Sequence, residues 1–165
     1  MPRIQLELDQ VKQLPTTYSA VIPADYMDEM GHMNVMWYTH LFSMAMGGLF
    51  EMIGLTEETM LEQHGGSFAL ECHIRYLSEV RVGHAIHVHT RLLNRSQKRY
   101  HVLHSMVNER KQDVAATFEV IGAYIDMRTR RMAQFPDAIA TQLDRIIAQH
   151  QALTWTAPVC GILLP

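Results

Sequence analysis

The sequence predicts an α+β fold in which one curved antiparallel sheet of five strands wraps around a single long helix. Three observations carry this. A β-rich segment comes first, TTYSAVIP at residues 16–23. An apolar run from Asn34 to about Ile53 is hydrophobic around most of a helical axis. Four further β-patterned segments then follow one another, separated by turns rather than by another long helix.

Residues 1–14 are polar and read as a loose arm. Strand one ends at Pro23, and the loop 24–33 leads to Asn34, whose side-chain oxygen is suited to cap the helix behind it. That helix holds Met36, Trp37, Leu41, Phe42, Met44, Leu49, Phe50 and Ile53 on most of its sides. Met33–Phe50 approaches the length of a membrane span, but Asn34, His40, Ser43 and two glycines, with Glu51 following, make it a buried helix instead. Gly47-Gly48 lowers helix propensity and allows a neighbouring backbone to come close. Gly54 stops the helix, and TEETMLEQH gives a short second one capped by Thr56.

After Gly65-Gly66 the pattern changes. SFALECHIRYLSEV reads as a strand, and Val82-Gly83 as a turn. AIHVHTRLL alternates, with Ile86, Val88, Thr90 and Leu92 on one face and His87, His89 and Arg91 on the other. NRSQKR is a hairpin turn, YHVLHSMVNE a strand, RKQD a turn and VAATFEVIGAYIDM a final long strand. Pro136 to about Gln151 is helical, and the tail is irregular. One sheet covers only part of an all-round apolar helix, so a second copy, or the C-terminal helix, is expected to cover the rest, which points to a dimer.

With 165 residues, 48% hydrophobic and 19% charged, and a net charge of −3, the chain reads as one soluble domain over 1–165, with a core at about 16–137 and a C-terminal helix and tail over 138–165. This charge offers no electrostatic case for nucleic acid or an anionic membrane. Cys72 and Cys160 have no metal-motif spacing, and the charged N-terminus lacks an apolar signal core. A reduced, cytoplasmic setting is expected. Four histidines, His87, His89, His101 and His104, have strand spacing that zinc sites can use. No carboxylate or cysteine is spaced with them, and no metal is expected.

One stretch stands out: DEMGHMNVMWYTH, residues 28–40, a polar group set directly before the apolar helix. Asp28, Gly31 and Asn34 can be read as a turn residue, a left-handed position and a cap. Together with the layout, Asp28-x-x-Gly31-His32-x-Asn34-x-x-x-Tyr38 resembles the hotdog-fold acyl-CoA thioesterases of the 4-hydroxybenzoyl-CoA thioesterase type. Val35 replaces the second Asn of that pattern, and Tyr26 stands where an Asp is often found. The likeness covers roughly residues 16–137. The runs HIRYLSEVRVGHAIHVHTRLL and KRYHVLHSM are similar to a thioesterase subgroup of carnitine breakdown, acting on betainyl-CoA or fused to carnitine dehydrogenase.

The resemblance implies hydrolysis of an acyl-CoA thioester by a homodimer or homotetramer, with no cofactor beyond the coenzyme A of the substrate. Asp28 is then general base or nucleophile. Gly31, His32 and Asn34 complete the site, and the backbone N–H groups around Met33–Met36, with His32, hold the oxyanion at the helix N-terminus. His32 either positions substrate or bonds to its own loop. A betainyl trimethylammonium would meet Trp37, Tyr38, Phe68 and Tyr76, with Glu71 as counter-charge. Lys98, Arg99, Arg128, Arg130 and Arg131 are candidates for the phosphates of coenzyme A. Two alternatives remain open: a non-catalytic acyl-CoA-binding or regulatory module, and a hotdog enoyl-CoA hydratase or dehydratase using Asp28 and His32 as a proton-moving pair.

Overall fold

The computed structural model describes residues 6–165. In chain order the elements are α1 (Leu8–Val11), β1 (Thr16–Val21), a 3-10 turn at Ala24–Tyr26, α2 (Val35–Ile53), α3 (Glu57–Gln63), β2 (Gly65–Tyr76), β3 (Ala85–Arg95), β4 (Arg99–Asn108), β5 (Asp113–Asp126), β6 (Arg131–Met132) and α4 (Asp137–Gln151). The sheet order is β1-β3-β4-β5-β2, with β6 paired to β5. This is the α+β hotdog arrangement, with a two-residue sixth strand added to the five expected. No described helix is long and apolar enough to cross a membrane.

By backbone contacts the chain forms two compact units. The first contains the described residues up to Gly48 with Ile74–Thr90 and His104–Phe118. There α2 buries Tyr38, Leu41, Phe42 and Ala45, spaced three or four apart, as a single stripe. Phe42 stacks on Phe118 with ring centroids 5.1 Å apart. Val35, Met36 and Met44 are exposed, so within one chain the helix is buried along a stripe and not all round, as its composition suggested. Gly48 lies against the Thr17 carbonyl, where a Cβ would overlap the backbone. The close approach expected of the glycine pair thus belongs to Gly48.

Residues 1–5 of the expected arm lie outside the described residues. The remainder is not loose: Leu8–Val11 is helical, and Val11 packs with Val107 and Val114 while Leu14 is buried. Apolar positions hidden among charges gave this segment a polar average. It covers the second face of β3, where His89 Nδ1 lies 3.0 Å from the Leu14 carbonyl. His104 is buried on the other side, 2.7 Å from the Thr90 hydroxyl and 3.0 Å from the Met46 sulfur.

The second unit contains Leu49–His73, Arg91–Leu103 and Glu119 onward. Gly54 ends α2 at φ 78°, and Thr56 caps α3 by accepting from the Thr59 N–H. Tyr100 is fully buried, its hydroxyl 2.7 Å from Ser67. Helix α4 buries Ile139, Leu143, Ile146 and Ile147. Arg91, placed from sequence on the face of β3 that also carries His87 and His89, is buried. It donates to the His150 and Trp155 carbonyls at 2.9 and 3.0 Å, with its guanidinium 4.2 Å from the Trp155 ring centre. A cation at the last carbonyls of a helix is well placed against the helix dipole.

Burial holds the His104 pKa down at about 3, and burial also lowers His84, His89 and His150. In the unfolded chain a histidine takes up its proton near pH 6.5. Stability from these neutral rings is therefore present above about pH 6.5 and is lost progressively as pH falls toward the folded values. The melting temperature is expected to drop steadily below pH 6.5. In His104→Asn the slope of that decline should be shallower; an unchanged slope would exclude His104 as a source of it.

Candidate active site

The polar segment before α2 is a tight loop whose form is set by hydrogen bonds. Asp28 N–H donates to the His32 carbonyl at 2.8 Å, and Gly31 N–H to the Asp28 carbonyl at 3.1 Å. The Asp28 carboxylate oxygen Oδ1 accepts from the N–H groups of Met30 and His32, at 2.9 and 3.1 Å. Gly31 sits at φ 80°, in the left-handed region that glycine adopts without a Cβ penalty. The backbone bridges Met27 to Met33 across the loop.

The connector between β2 and β3 fastens this loop in place. Val80 is fully buried; its carbonyl accepts from Met33 N–H at 2.8 Å, and its own N–H donates to the Tyr38 hydroxyl at 3.2 Å. Asn34 N–H donates to the Tyr26 carbonyl, and Asn34 Oδ1 caps α2 by accepting from Met36 N–H at 3.1 Å. Burial raises the Tyr38 hydroxyl pKa, which keeps it neutral beside Val80.

A cavity of about 360 Å³ opens here, lined by Asp28, His32, Met33, Val35, Tyr38, Tyr76, Leu77, Ser78 and Glu79. Tyr38 and Tyr76 meet edge to face at 5.2 Å. Ser78 and Glu79 are the polar lining residues that sequence reasoning did not select, and Glu79 carries the charge. Its carboxylate lies 2.6 Å from His32 Nε2 and also binds Arg81 and Lys111, at 3.1 and 3.3 Å. Arg81 first, and Lys111 with it, hold the Glu79 carboxyl below its usual range.

The expected residues separate into three groups. Asp28, His32, Tyr38 and Tyr76 line the cavity, while Gly31 and Asn34 shape the loop beneath it. Trp37 is not among the lining residues: it stacks flat on Tyr26, centroids 3.7 Å apart, with His40 at the edge of both rings. Tyr26, the departure from the family pattern, thus has a packing role. Phe68 and Glu71 also fall outside the lining; both are exposed on β2 in the second unit. Lys98, Arg99, Arg128, Arg130 and Arg131 likewise belong to the second unit, on the β3–β4 hairpin and the turn after β5.

The expected oxyanion donors narrow sharply. The N–H groups of His32, Met33, Asn34, Met36 and Trp37 are all committed, to Asp28 Oδ1, Val80 O, Tyr26 O, Asn34 Oδ1 and Asn34 O respectively. Val35, the first residue of α2, is the exception in this run, and it lines the cavity. A first-turn N–H has no partner within its own helix. The four strand histidines go to separate places as well: His87 to Ser19, His89 to Leu14, His101 to Glu119 and His104 to Thr90.

Comparison with known proteins places the chain in a family. A family model described as the thioesterase-like superfamily matches residues 21–143. Betainyl-CoA thioesterase from Pseudomonas aeruginosa is 28% identical over 143 residues, covering 87% of this chain and 90% of that one. An L-carnitine dehydrogenase/betainyl-CoA thioesterase from Agrobacterium fabrum is 31% identical over 134 residues, which are 81% of this chain and 27% of that longer protein. A Staphylococcus aureus protein solved in complex with CoA superimposes with a TM-score of 0.81 at 25% identity, covering 92% of this chain and 97% of that one. The chain belongs to the thioesterase-like superfamily and is a thioesterase with the hotdog fold.

Tyr38→Phe removes the acceptor of a buried N–H and so is expected to cost about 1–3 kcal/mol of stability. Urea unfolding of wild type and variant measures it; an unchanged midpoint would show that Val80 finds another partner.

Proposed function

We propose that the cavity at Asp28 hydrolyses the thioester, with Asp28 as the reacting carboxylate and the Val35 N–H as oxyanion donor. As an acyl-CoA thioesterase the protein releases a free acid and coenzyme A. The observation that carries the assignment is the fixing of Asp28 Oδ1 by two backbone N–H groups beside the α2 N-terminus. With Oδ1 so held, Oδ2 is assigned to the reaction.

As general base, Asp28 takes a proton from water while the water oxygen bonds to the carbonyl carbon. The carbonyl oxygen becomes negative against the Val35 N–H and the positive end of α2. The carbon–sulfur bond then breaks, and the proton held by Asp28 goes to the departing thiolate. As nucleophile, Asp28 instead forms a mixed anhydride with loss of thiolate, and water then hydrolyses it. Exchange of ¹⁸O into the Asp28 carboxylate in a single turnover separates these, since only the anhydride route incorporates label into the protein.

The hydratase alternative requires Asp28 and His32 to act as a side-chain pair. Here the imidazole of His32 is directed to Glu79, and Asp28 meets only the backbone N–H of His32. The geometry therefore favours hydrolysis. The relatives from Pseudomonas and Agrobacterium support betainyl-CoA as the substrate. The trimethylammonium group would lie against the rings of Tyr38 and Tyr76, since a cation is attracted to aromatic faces. Glu79 is already matched by Arg81 and Lys111, so the rings and not the carboxylate carry the recognition. A neutral acyl-CoA of the same size turned over equally fast would overturn this choice.

The exposed apolar residues Met36 and Met44 of α2, and Phe68 and Leu70 of β2, support a homodimer or homotetramer. Large exposed apolar residues, and a strand at the sheet edge, are commonly covered by a second copy. Sedimentation equilibrium at micromolar protein is expected to give at least a dimer; a monomer would refute it.

The central test is free-thiol release from a panel of acyl-CoA esters. Asp28→Asn is expected to lose at least a hundredfold in kcat, about 2.7 kcal/mol of barrier. Val35→Pro deletes the one proposed donor at a helix position where proline is well tolerated. It is expected to lose about 100–1000-fold in kcat with the fold intact. Ester binding without turnover by the wild type would leave the sensor reading in its place.

A further inference from the structure

A second group of reactive side chains lies in the other compact unit, and the thioesterase reading does not use it. His73 on β2, Glu119 on β5 and Cys160 in the C-terminal tail each present one ligand atom, all within 4.8 Å of one another. We propose that these three residues form a binding site for a divalent transition metal, of which zinc is the best match. This inference does not depend on the activity assigned to Asp28.

Each part of the site points to a cation. Glu119 is 1% exposed, and a buried carboxylate is costly unless a positive partner or hydrogen bonds compensate it. Its side chain is held from both sides. His101 Nε2 lies 2.8 Å from Oε1, and Cys160 N–H donates to Oε2 at 2.6 Å. The bond from Cys160 also fixes the tail where its thiol meets the imidazole of His73. No Lys or Arg side chain forms an ion pair with Glu119 among the described residues; His101 is its ion-pair neighbour.

The donor set selects the metal. A thiolate, an imidazole and a carboxylate together suit a borderline-soft ion, and they are unlike the all-oxygen sets of magnesium or calcium. On binding, Cys160 gives up its thiol proton to solvent, so two negative ligands balance one divalent cation and the buried site becomes neutral. A tetrahedral zinc with bonds of about 2.0–2.3 Å spaces its ligands about 3.5 Å apart. Closure of about 1 Å therefore completes the set, and a tail segment can supply it. His101 then acts on the metal through Glu119, as hydrogen-bonded partners of ligating carboxylates do. His73 and Cys160 are both partly exposed, which gives the ion a path from solvent.

This assignment gives the tail a function. Trp155 is already packed under Arg91, and the metal would tie the chain a second time at Cys160. Sequence spacing could not show it: 46 residues separate His73 from Glu119 and 41 separate Glu119 from Cys160, and the C-x-x-C patterns of zinc motifs are absent.

The test uses the full-length chain without an affinity tag, stripped with chelator and titrated with cobalt(II) and then zinc. One equivalent of cobalt is expected to bind with a thiolate-to-metal charge-transfer band, and zinc should displace it. The band should vanish in Cys160→Ser and persist in Cys72→Ser, whose thiol is the only other one in the chain. His73→Asn and Glu119→Gln should each weaken zinc binding at least a hundredfold, and His101→Gln about 10–100-fold. Zinc should raise the melting temperature of the wild type and not that of Cys160→Ser, with circular dichroism confirming that the variants are folded. Absence of stoichiometric binding by the wild type would overturn the site, as would a band that survives loss of Cys160 or needs Cys72.

Discussion

The structure depends most on the hydrogen-bond saturation of the loop from Asp28 to Asn34. A reactive carboxylate on an open loop would sample many positions, and a helix N-terminus left to itself would turn its amides to water. Here the loop bonds to itself through Asp28, to the β2–β3 connector through Val80, and to the 3-10 turn through Tyr26. Almost every amide in the run is committed. From His32 to Trp37 the Val35 N–H is the one left without such a partner, at the first residue of α2. The buried stripe of α2, with Phe42 stacked on Phe118, holds this end of the helix in place behind the loop.

The histidines show how burial divides one residue type into different roles. His104 is enclosed beside a threonine and a methionine sulfur, where a proton would be unstable, and it serves as a neutral packing unit. His150 accepts a backbone N–H and presents its carbonyl to Arg91, joining α4 to β3. His32 is half-exposed and bound to Glu79 at the cavity wall. His73 and His101 converge on Glu119. Composition registers ten histidines; only their surroundings separate a core ring from a ligand.

Much of the fold was legible because its signals are local. Asn34 and Thr56 cap the helices that follow them, Gly54 and Gly83 take up positive φ at the expected stops, and the alternation of residues 85–93 marked a strand. The Asp28–Asn34 motif was equally plain. Where reading failed, the cause was non-local. Val11 and Leu14 looked like part of a polar arm because their buried neighbours, Val107 and Val114, lie far along the chain. The burial of Arg91 was not visible because alternation shows that two faces exist, not what covers each of them. The stacking of Trp37 on Tyr26 was hidden for the same reason, since the two are brought together by the fold of the loop between them.

The sequence by itself determined the order and type of the elements apart from α1 and β6, the capped start of α2 and the presence of a carboxylate before it. These follow from short-range rules of hydrogen bonding, side-chain alternation and left-handed glycine. Tertiary structure decided which amide at the head of α2 is left without a partner, that Glu79 and Tyr76 share a cavity with Asp28, and that Cys160 returns to His73 and Glu119. Each of these is a meeting of residues distant along the chain. Such meetings depend on how strands pair and where the chain returns, and no local pattern carries that information.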